Sequence, residues 1–281
     1  MHVGENDIFT KEVFLLKKLF ILLLSLFLVS GLIAGCAGNA QQEPVEENVT
    51  KETAQVLVSA AASLKDALAE IKSVYEGKND GIELVYNFGS SGMLQQQIEQ
   101  GSPVDLFISA GKKQMDALEE KNLIKIETRT DLLGNELVLI TGKDNKTVNT
   151  FADLSKPEVQ HIGIGNPASV PAGKYTQEAL TSMKLWDALQ SKYVAAKDVR
   201  QVLSYVETGN AEAGLVYKSD TIVSDKVRIA ITAPKESHQP IVYPAAVIGS
   251  AENAAAADEF LKFLQSAEAK QIFVKYGFTG A

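Results

Sequence analysis

From Gln55 onward the chain alternates short apolar runs with amphipathic helical stretches, and this alternation constrains its fold more than any other feature. Val56-Leu57-Val58-Ser59-Ala60 reads as a strand. Residues 63–75 then carry Leu64, Ala67, Leu68, Ile71 and Val74 at helical spacing. Residues 82–88 read as a strand, 91–100 as a helix closed by Gly101, 105–109 as a buried strand and 112–121 as a helix. Such alternation predicts an α/β parallel sheet. The pattern shifts around 132–141, where a long extended run follows Gly134-Asn135. A second set of units follows: a strand at 161–165, helices at 172–183 and 199–208, and strands at 213–217 and 227–231. An extended segment at 240–248 is followed by a final helix at 253–266, which leads to 269–276. The expectation is an α/β fold of two lobes, lobe 1 from 55–134 and 240–281 and lobe 2 from 135–239. Each is expected to hold a mostly parallel sheet flanked by helices, with two hinge crossings.

In open α/β sheets ligands sit beyond the carboxyl ends of the strands, at helix N-termini. Four places in the sequence match that description: Ala61-Ala62-Ser63-Leu64, Gly89-Ser90-Ser91-Gly92, Val170-Pro171-Ala172-Gly173 and Lys197-Asp198-Val199-Arg200. Helix N-termini expose unpaired N–H groups and the positive end of the dipole, so they attract anions without a cluster of cationic side chains. Each tip has a plainer reading. Ser63 suits an N-cap with Asp66 completing a capping-box-like pattern, and the glycines around Ser90-Ser91 suit an ordinary turn. Pro171 fits a first helical turn, with Ala172 and Gly173 offering nearly bare N–H groups, while Lys174 reads as a solvated helix face. Asp198 reads as an N-cap that leaves the Val199 N–H at the tip. Tyr217 ends a buried strand, where its hydroxyl either meets a backbone carbonyl or donates into a cleft.

The formal net charge of −8 argues against a nucleic-acid partner held by general electrostatics. It does not exclude an anionic ligand, because neutral donors act at close range. The other chemical signatures are weak. Gly163-Ile164-Gly165 lacks the third glycine of a dinucleotide fingerprint, and His2, His161 and His238 are too scattered for a metal site. A serine hydrolase using Ser63 or Ser91 with His161 and Asp105 has no Gly-x-Ser-x-Gly elbow behind it.

The N-terminus reads as an export signal. Lys17-Lys18 precede an apolar run from Leu19 to Ile33, which falls short of the roughly 20 residues a spanning helix needs. Ile33-Ala34-Gly35-Cys36 resembles a bacterial lipobox, implying cleavage of residues 1–35 and lipid on Cys36. Residues 1–16 open with a polar, acidic stretch unlike a signal n-region, which suggests that the true start lies later. As the lone cysteine, Cys36 has no intrachain partner for a disulfide. Residues 36–54 are polar and acidic and read as a flexible tether.

The same motifs, with Pro103-Val104-Asp105-Leu106-Phe107-Ile108-Ser109-Ala110, Leu132-Leu133-Gly134-Asn135, Gly214-Leu215-Val216-Tyr217, Tyr243-Pro244-Ala245-Ala246-Val247 and Phe273-Val274-Lys275-Tyr276-Gly277-Phe278, resemble the bacterial molybdate-binding proteins of ABC importers. The resemblance covers nearly everything after residue 54. It implies a two-lobed periplasmic-binding-protein fold of the second type, without enzymatic activity or cofactor. Carried onto this chain, the implied ligand shell is Ser63, Ser91, Ala172, Val199 and Tyr217, holding molybdenum only as its oxyanion with no direct metal ligand. The implied partners are molybdate or tungstate and an ABC permease. The implied setting is a monomer on the outer face of the cell membrane, anchored through Cys36, on a Gram-positive surface. Sulfate or another tetrahedral oxyanion is the alternative ligand. Two positions depart from the family pattern: Gly92 stands where a hydroxyl residue is frequent, and Asn166 where an acidic one is.

Overall fold

A computed structural model describes residues 53–280. The expected signal segment 1–35, the lipidation site Cys36 and all but the last residues of the tether lie outside the described residues. Two five-stranded sheets organise the rest. The first has the order β2-β1-β3-β10-β4, from β1 (Ala54–Ala61), β2 (Ile82–Gly89), β3 (Leu106–Ile108), β4 (Thr130–Gly134) and β10 (Val242–Val247). The second has the order β7-β6-β8-β5-β9, from β5 (Leu137–Gly142), β6 (Ile162–Gly165), β7 (Tyr193–Ala196), β8 (Ala213–Tyr217) and β9 (Val227–Thr232). The chain passes from the first sheet to the second between β4 and β5 and returns between β9 and β10.

The two-lobed α/β architecture is as the alternation predicts, but each sheet is mixed. β1 pairs in parallel with β2 and β3, while β10 runs antiparallel to β3 and β4. β6 pairs in parallel with β7 and β8, while β5 runs antiparallel to β8 and β9. The antiparallel pairings all involve the strands that flank the two crossings. β4 and β7 were not legible as strands: β4 opens on the polar Thr130-Asp131, and β7 is a run of only four residues, Tyr193–Ala196.

The parallel strands carry the helices. A short 3-10 turn (Ala62–Leu64) and α1 (Lys65–Glu76) follow β1, α2 (Ser91–Glu99) follows β2, and α3 (Lys112–Glu120) follows β3. In the second lobe α4 (Pro171–Ser182) follows β6, α5 (Val199–Glu207) follows β7, and the one-turn α6 (Lys218–Thr221) follows β8. The terminal helices α7 (Ala254–Leu264) and α8 (Ala267–Lys275) return to the first lobe, where Thr279 bridges to Gly134. A separate apolar cluster (Leu94, Ile98, Phe107, Met115, Leu118 and Ala246 among its members) clamps α2 and α3 to β3 and β10. A core truncation there, such as Leu94→Ala, costs about 2–5 kcal/mol, and the N-terminus of α2 would lose its footing.

Pro244 sits in β10, inside the sheet, where a proline cannot complete the ladder. The register shifts between Tyr243 and Pro244, which face Leu133 and Asp131, so the pairing skips Leu132 of β4 opposite the proline.

Candidate functional site

Ser63, Ser91, Ala172, Val199 and Tyr217 all line one very small cavity, of about 10 Å³, between the two sheets. The other lining residues include Ala61, Ala62, Gly89, Ser90, Ala110, Val170, Pro171 and Asp198, with no Lys or Arg among them. All five expected site residues are buried.

Each tip is built differently. Ser63 is not a cap: the residue preceding the 3-10 turn is Ala61, and neither this turn nor α1 has a side-chain cap. The hydroxyl instead lies 2.9 Å from the Tyr243 Oη. Ser90, not Ser91, is the N-cap of α2, accepting from the Met93 N–H. That leaves Ser91 Oγ to accept from the Ala110 N–H at 2.9 Å, with its own hydrogen directed elsewhere. In α4 the Gly173 and Lys174 N–H groups both reach the Val170 carbonyl. Pro171 has no N–H, so Ala172 carries the tip's unpaired donor. A Cβ on Gly173 would stand 2.0 Å from the Gly165 carbonyl oxygen, so only glycine lets α4 seat this close to the end of β6. Asp198 caps α5 by accepting from the Gln201 N–H at 2.9 Å, which leaves the Val199 N–H at the tip.

Tyr217 is fully buried, and its hydroxyl donates weakly across the cleft to the Ala110 carbonyl at 3.4 Å. Burial, reinforced by the Tyr243 ring, pushes its pKa well above the ordinary tyrosine value. It is therefore a neutral donor throughout the physiological range.

The lobes meet around this cavity. The Gly92 N–H donates to the Ser169 carbonyl at 2.9 Å, and a Cβ on Gly92 would lie 2.5 Å from that oxygen. Gly92 is thus the residue that lets α2 close against the second lobe. Asn166 Oδ1 accepts from the Ala168 N–H at 3.0 Å and shapes the loop that presents Ser169.

One charged group was missed by the sequence reading. Arg200, next to Val199, sets its guanidinium between Asp66 of the first lobe, at 2.6 Å, and Asp220 of the second, at 2.8 Å. These are ion-pair separations whose angles miss hydrogen-bond alignment. Burial raises the Asp220 carboxyl to about 6 against the lowering effect of Arg200. The cation is balanced by two carboxylates, one from each lobe, and does not line the cavity.

The hydrolase arrangement does not form. Asp105 accepts from the Leu57 and Asn253 N–H groups at 2.8 and 2.9 Å, fixing strand ends. His161 is exposed and lies 3.8 Å from Glu212. Neither is a partner of Ser63 or Ser91. His238 meets the Gln239 carbonyl, and Lys174 pairs with Glu178 on the helix face, as its position suggested.

Residues 56–279 match the family model of the bacterial extracellular solute-binding protein. The chain belongs to this family. It is 45% identical over 263 residues to the Bacillus subtilis protein described as "Putative ABC transporter substrate-binding lipoprotein YvgL", covering 93% of this chain and 97% of that one. It is 41% identical over 233 residues to the molybdate-binding protein ModA of Haemophilus influenzae, covering 81% and 91%. Among solved structures it is similar to the periplasmic molybdate-binding protein of Azotobacter vinelandii, with a TM-score of 0.74, 26% identity, and coverage of 80% and 99%. Members of the family are solute receptors and not enzymes.

Proposed function

We propose that this protein captures molybdate, and tungstate with it, in the cavity between the lobes and delivers it to an ABC permease. The observation that carries the reading is the donor set: three hydroxyls and two helix-tip N–H groups around one small space, with no cationic side chain lining it. Molybdate is a tetrahedral dianion without a proton at neutral pH and accepts hydrogen bonds at every oxygen. Charge-assisted bonds from neutral donors hold such an ion and gauge its size. Hydrogen phosphate carries a proton that needs an acceptor, and Asp198, the one carboxylate lining the cavity, is engaged in capping α5. Sulfate is a bare dianion but smaller, so the spacing of the donors is what discriminates against it. The relatives named for molybdate support the same reading.

In this reading 55–134 with 240–281 and 135–239 are the two lobes, Ser63, Ser91, Ala172, Val199 and Tyr217 are the ligand shell, and closure of the lobes signals loading. The protein acts as a monomer on the outer face of the membrane, held by lipid on Cys36, and the lipoprotein description of the B. subtilis relative supports the anchor. Calorimetric titration of the purified protein with molybdate, tungstate, sulfate and phosphate tests the ligand. One-to-one binding of the first two, much weaker sulfate and no phosphate is the expected result. Absence of heat with molybdate at micromolar protein ends the proposal.

A further inference from the structure

Two motifs of the sequence, Leu132-Leu133-Gly134-Asn135 and Tyr243-Pro244, carry no donor of the proposed shell, yet the structure brings Asn135 and Tyr243 together behind Ser63. Asn135 follows β4 at the outward crossing, and Tyr243 lies in β10 just after the return. The Asn135 Oδ1 accepts from the Glu136 N–H at 2.9 Å, which fixes which end of the amide is nitrogen. Its Nδ2 therefore donates, to Ser219 Oγ at 2.9 Å and to Tyr243 Oη at 3.2 Å. Tyr243 is fully buried, and burial, with the nearby Asp220 charge, keeps its hydroxyl protonated far above neutrality. Its oxygen accepts from Asn135, and the 2.9 Å contact with Ser63 Oγ, open to either direction by distance alone, is the one place its buried hydrogen finds an acceptor, which assigns the hydrogen to Ser63. Ser63 then accepts one bond from behind and has its hydrogen free to turn into the cavity.

We propose that Asn135 and Tyr243 are positioning residues that polarise Ser63 as a donor, so that the cavity accepts only an anion carrying no proton. A serine hydroxyl is both donor and acceptor, and left to itself it could accept from the proton of a hydrogen phosphate. The directed chain Asn135 to Tyr243 to Ser63 occupies one of the two acceptor lone pairs and leaves the Ser63 hydrogen to face the cavity, where it opposes the proton of a hydrogen phosphate. Ser91 reaches the same state by accepting from the Ala110 N–H. This inference rests on the molybdate reading and adds to it the source of its selectivity.

Asn135→Asp reverses the chain while nearly preserving its shape. The new carboxylate accepts from Tyr243, the Tyr243 oxygen then accepts from Ser63, and Ser63 turns away from the cavity. Titrations of the full chain with molybdate and with phosphate, alongside thermal melts, read the outcome. Asn135→Asp is expected to weaken molybdate about 100-fold. Adding Tyr243→Phe should restore at least about tenfold of that loss, because Ser63 is released although the added charge remains. Tyr243→Phe alone should narrow the molybdate-to-phosphate ratio at least about tenfold. A double variant as weak as or weaker than Asn135→Asp overturns the proposal, since a packing role or a simple charge effect gives no rescue. If the aspartate variant does not fold, Asn135→Ala removes the first donor of the chain, and an unchanged molybdate-to-phosphate ratio there also overturns it. A wild-type protein that takes no molybdate at all refutes the ligand reading instead.

Discussion

In the first lobe the cavity is lined by side-chain donors, Ser63 and Ser91; in the second lobe two of the donors are backbone N–H groups, at Ala172 and Val199, with Tyr217 beside them. The difference is one of polarity. A backbone N–H can only donate, so Ala172 and Val199 need only helix starts in the right place. Pro171 and Asp198 supply these starts by fixing the first turn of α4 and capping α5. A hydroxyl has both options, and the two serines of the first lobe therefore have a second layer, with Ala110 behind Ser91, and Tyr243 and the crossing residue Asn135 behind Ser63. Backbone geometry sets the direction of the Ala172 and Val199 N–H groups, and hydrogen bonds from behind bear on the two serines.

Four substitutions break this comparison at different points. The largest effect is expected from Val199→Pro. Val199 is the first residue of α5 and follows an extended Asp198, a place where proline is well accommodated. The change deletes one backbone donor and puts a ring carbon where its hydrogen was. Molybdate affinity should fall about 100-fold or more, by the loss of a charge-assisted bond of about 1.5–3 kcal/mol and by the steric block, while the melting temperature moves little. Calorimetry with a thermal melt reads both, and an unchanged affinity removes Val199 from the shell.

Tyr217→Phe comes next, with an expected loss of about 1.5–3 kcal/mol, or about 10- to 150-fold in Kd. Titration by intrinsic fluorescence measures it, and an affinity equal to wild type would show that the hydroxyl only serves the Ala110 carbonyl.

Gly92→Ala tests closure without touching a donor side chain. The new methyl meets the Ser169 carbonyl, and a displacement costing about 1 kcal/mol lowers affinity about fivefold. Small-angle scattering should show a more open liganded form; a wild-type profile and affinity would mean the loop yields freely.

The smallest effect concerns Asp220. Its native pKa of about 6 lies above the ordinary value of 3.8, so the folded state binds a proton at a higher pH than the unfolded chain does. Its contribution to stability is therefore greatest below about 4 and is lost as pH rises through about 6. Asp220→Asn removes that term. On acidification from pH 7 to 5 the variant should lose more melting temperature than wild type, by an amount equivalent to about 1 kcal/mol. Parallel curves for the two proteins would count against a raised Asp220.

How far the sequence led depended on the range of the interactions. Helix starts at Ser91, Pro171 and Val199 were legible because capping and proline preferences are local. Their convergence followed from strand order, which the alternation of elements implies. The partner of Ser63 was not legible: Ser63 and Tyr243 are 180 residues apart, and a local rule assigned that serine to a cap. Arg200 was hidden for the same reason, since Asp66 and Asp220 reach it from distant segments of the chain. The mixed character of the sheets was missed because strand direction leaves no mark in hydrophobic periodicity. Gly92 was legible only as a departure from a family pattern, and its reason is a contact with the other lobe.

A crystal structure of the protein grown with molybdate tests the central claim most directly. The account predicts one tetrahedral anion between the lobes, with its oxygens about 2.7–2.9 Å from the Ser63 and Ser91 hydroxyls, the Ala172 and Val199 nitrogens and the Tyr217 hydroxyl, and with Arg200 still held by Asp66 and Asp220. An anion bound by Arg200 or by surface lysines, with the five donors unengaged, would contradict it.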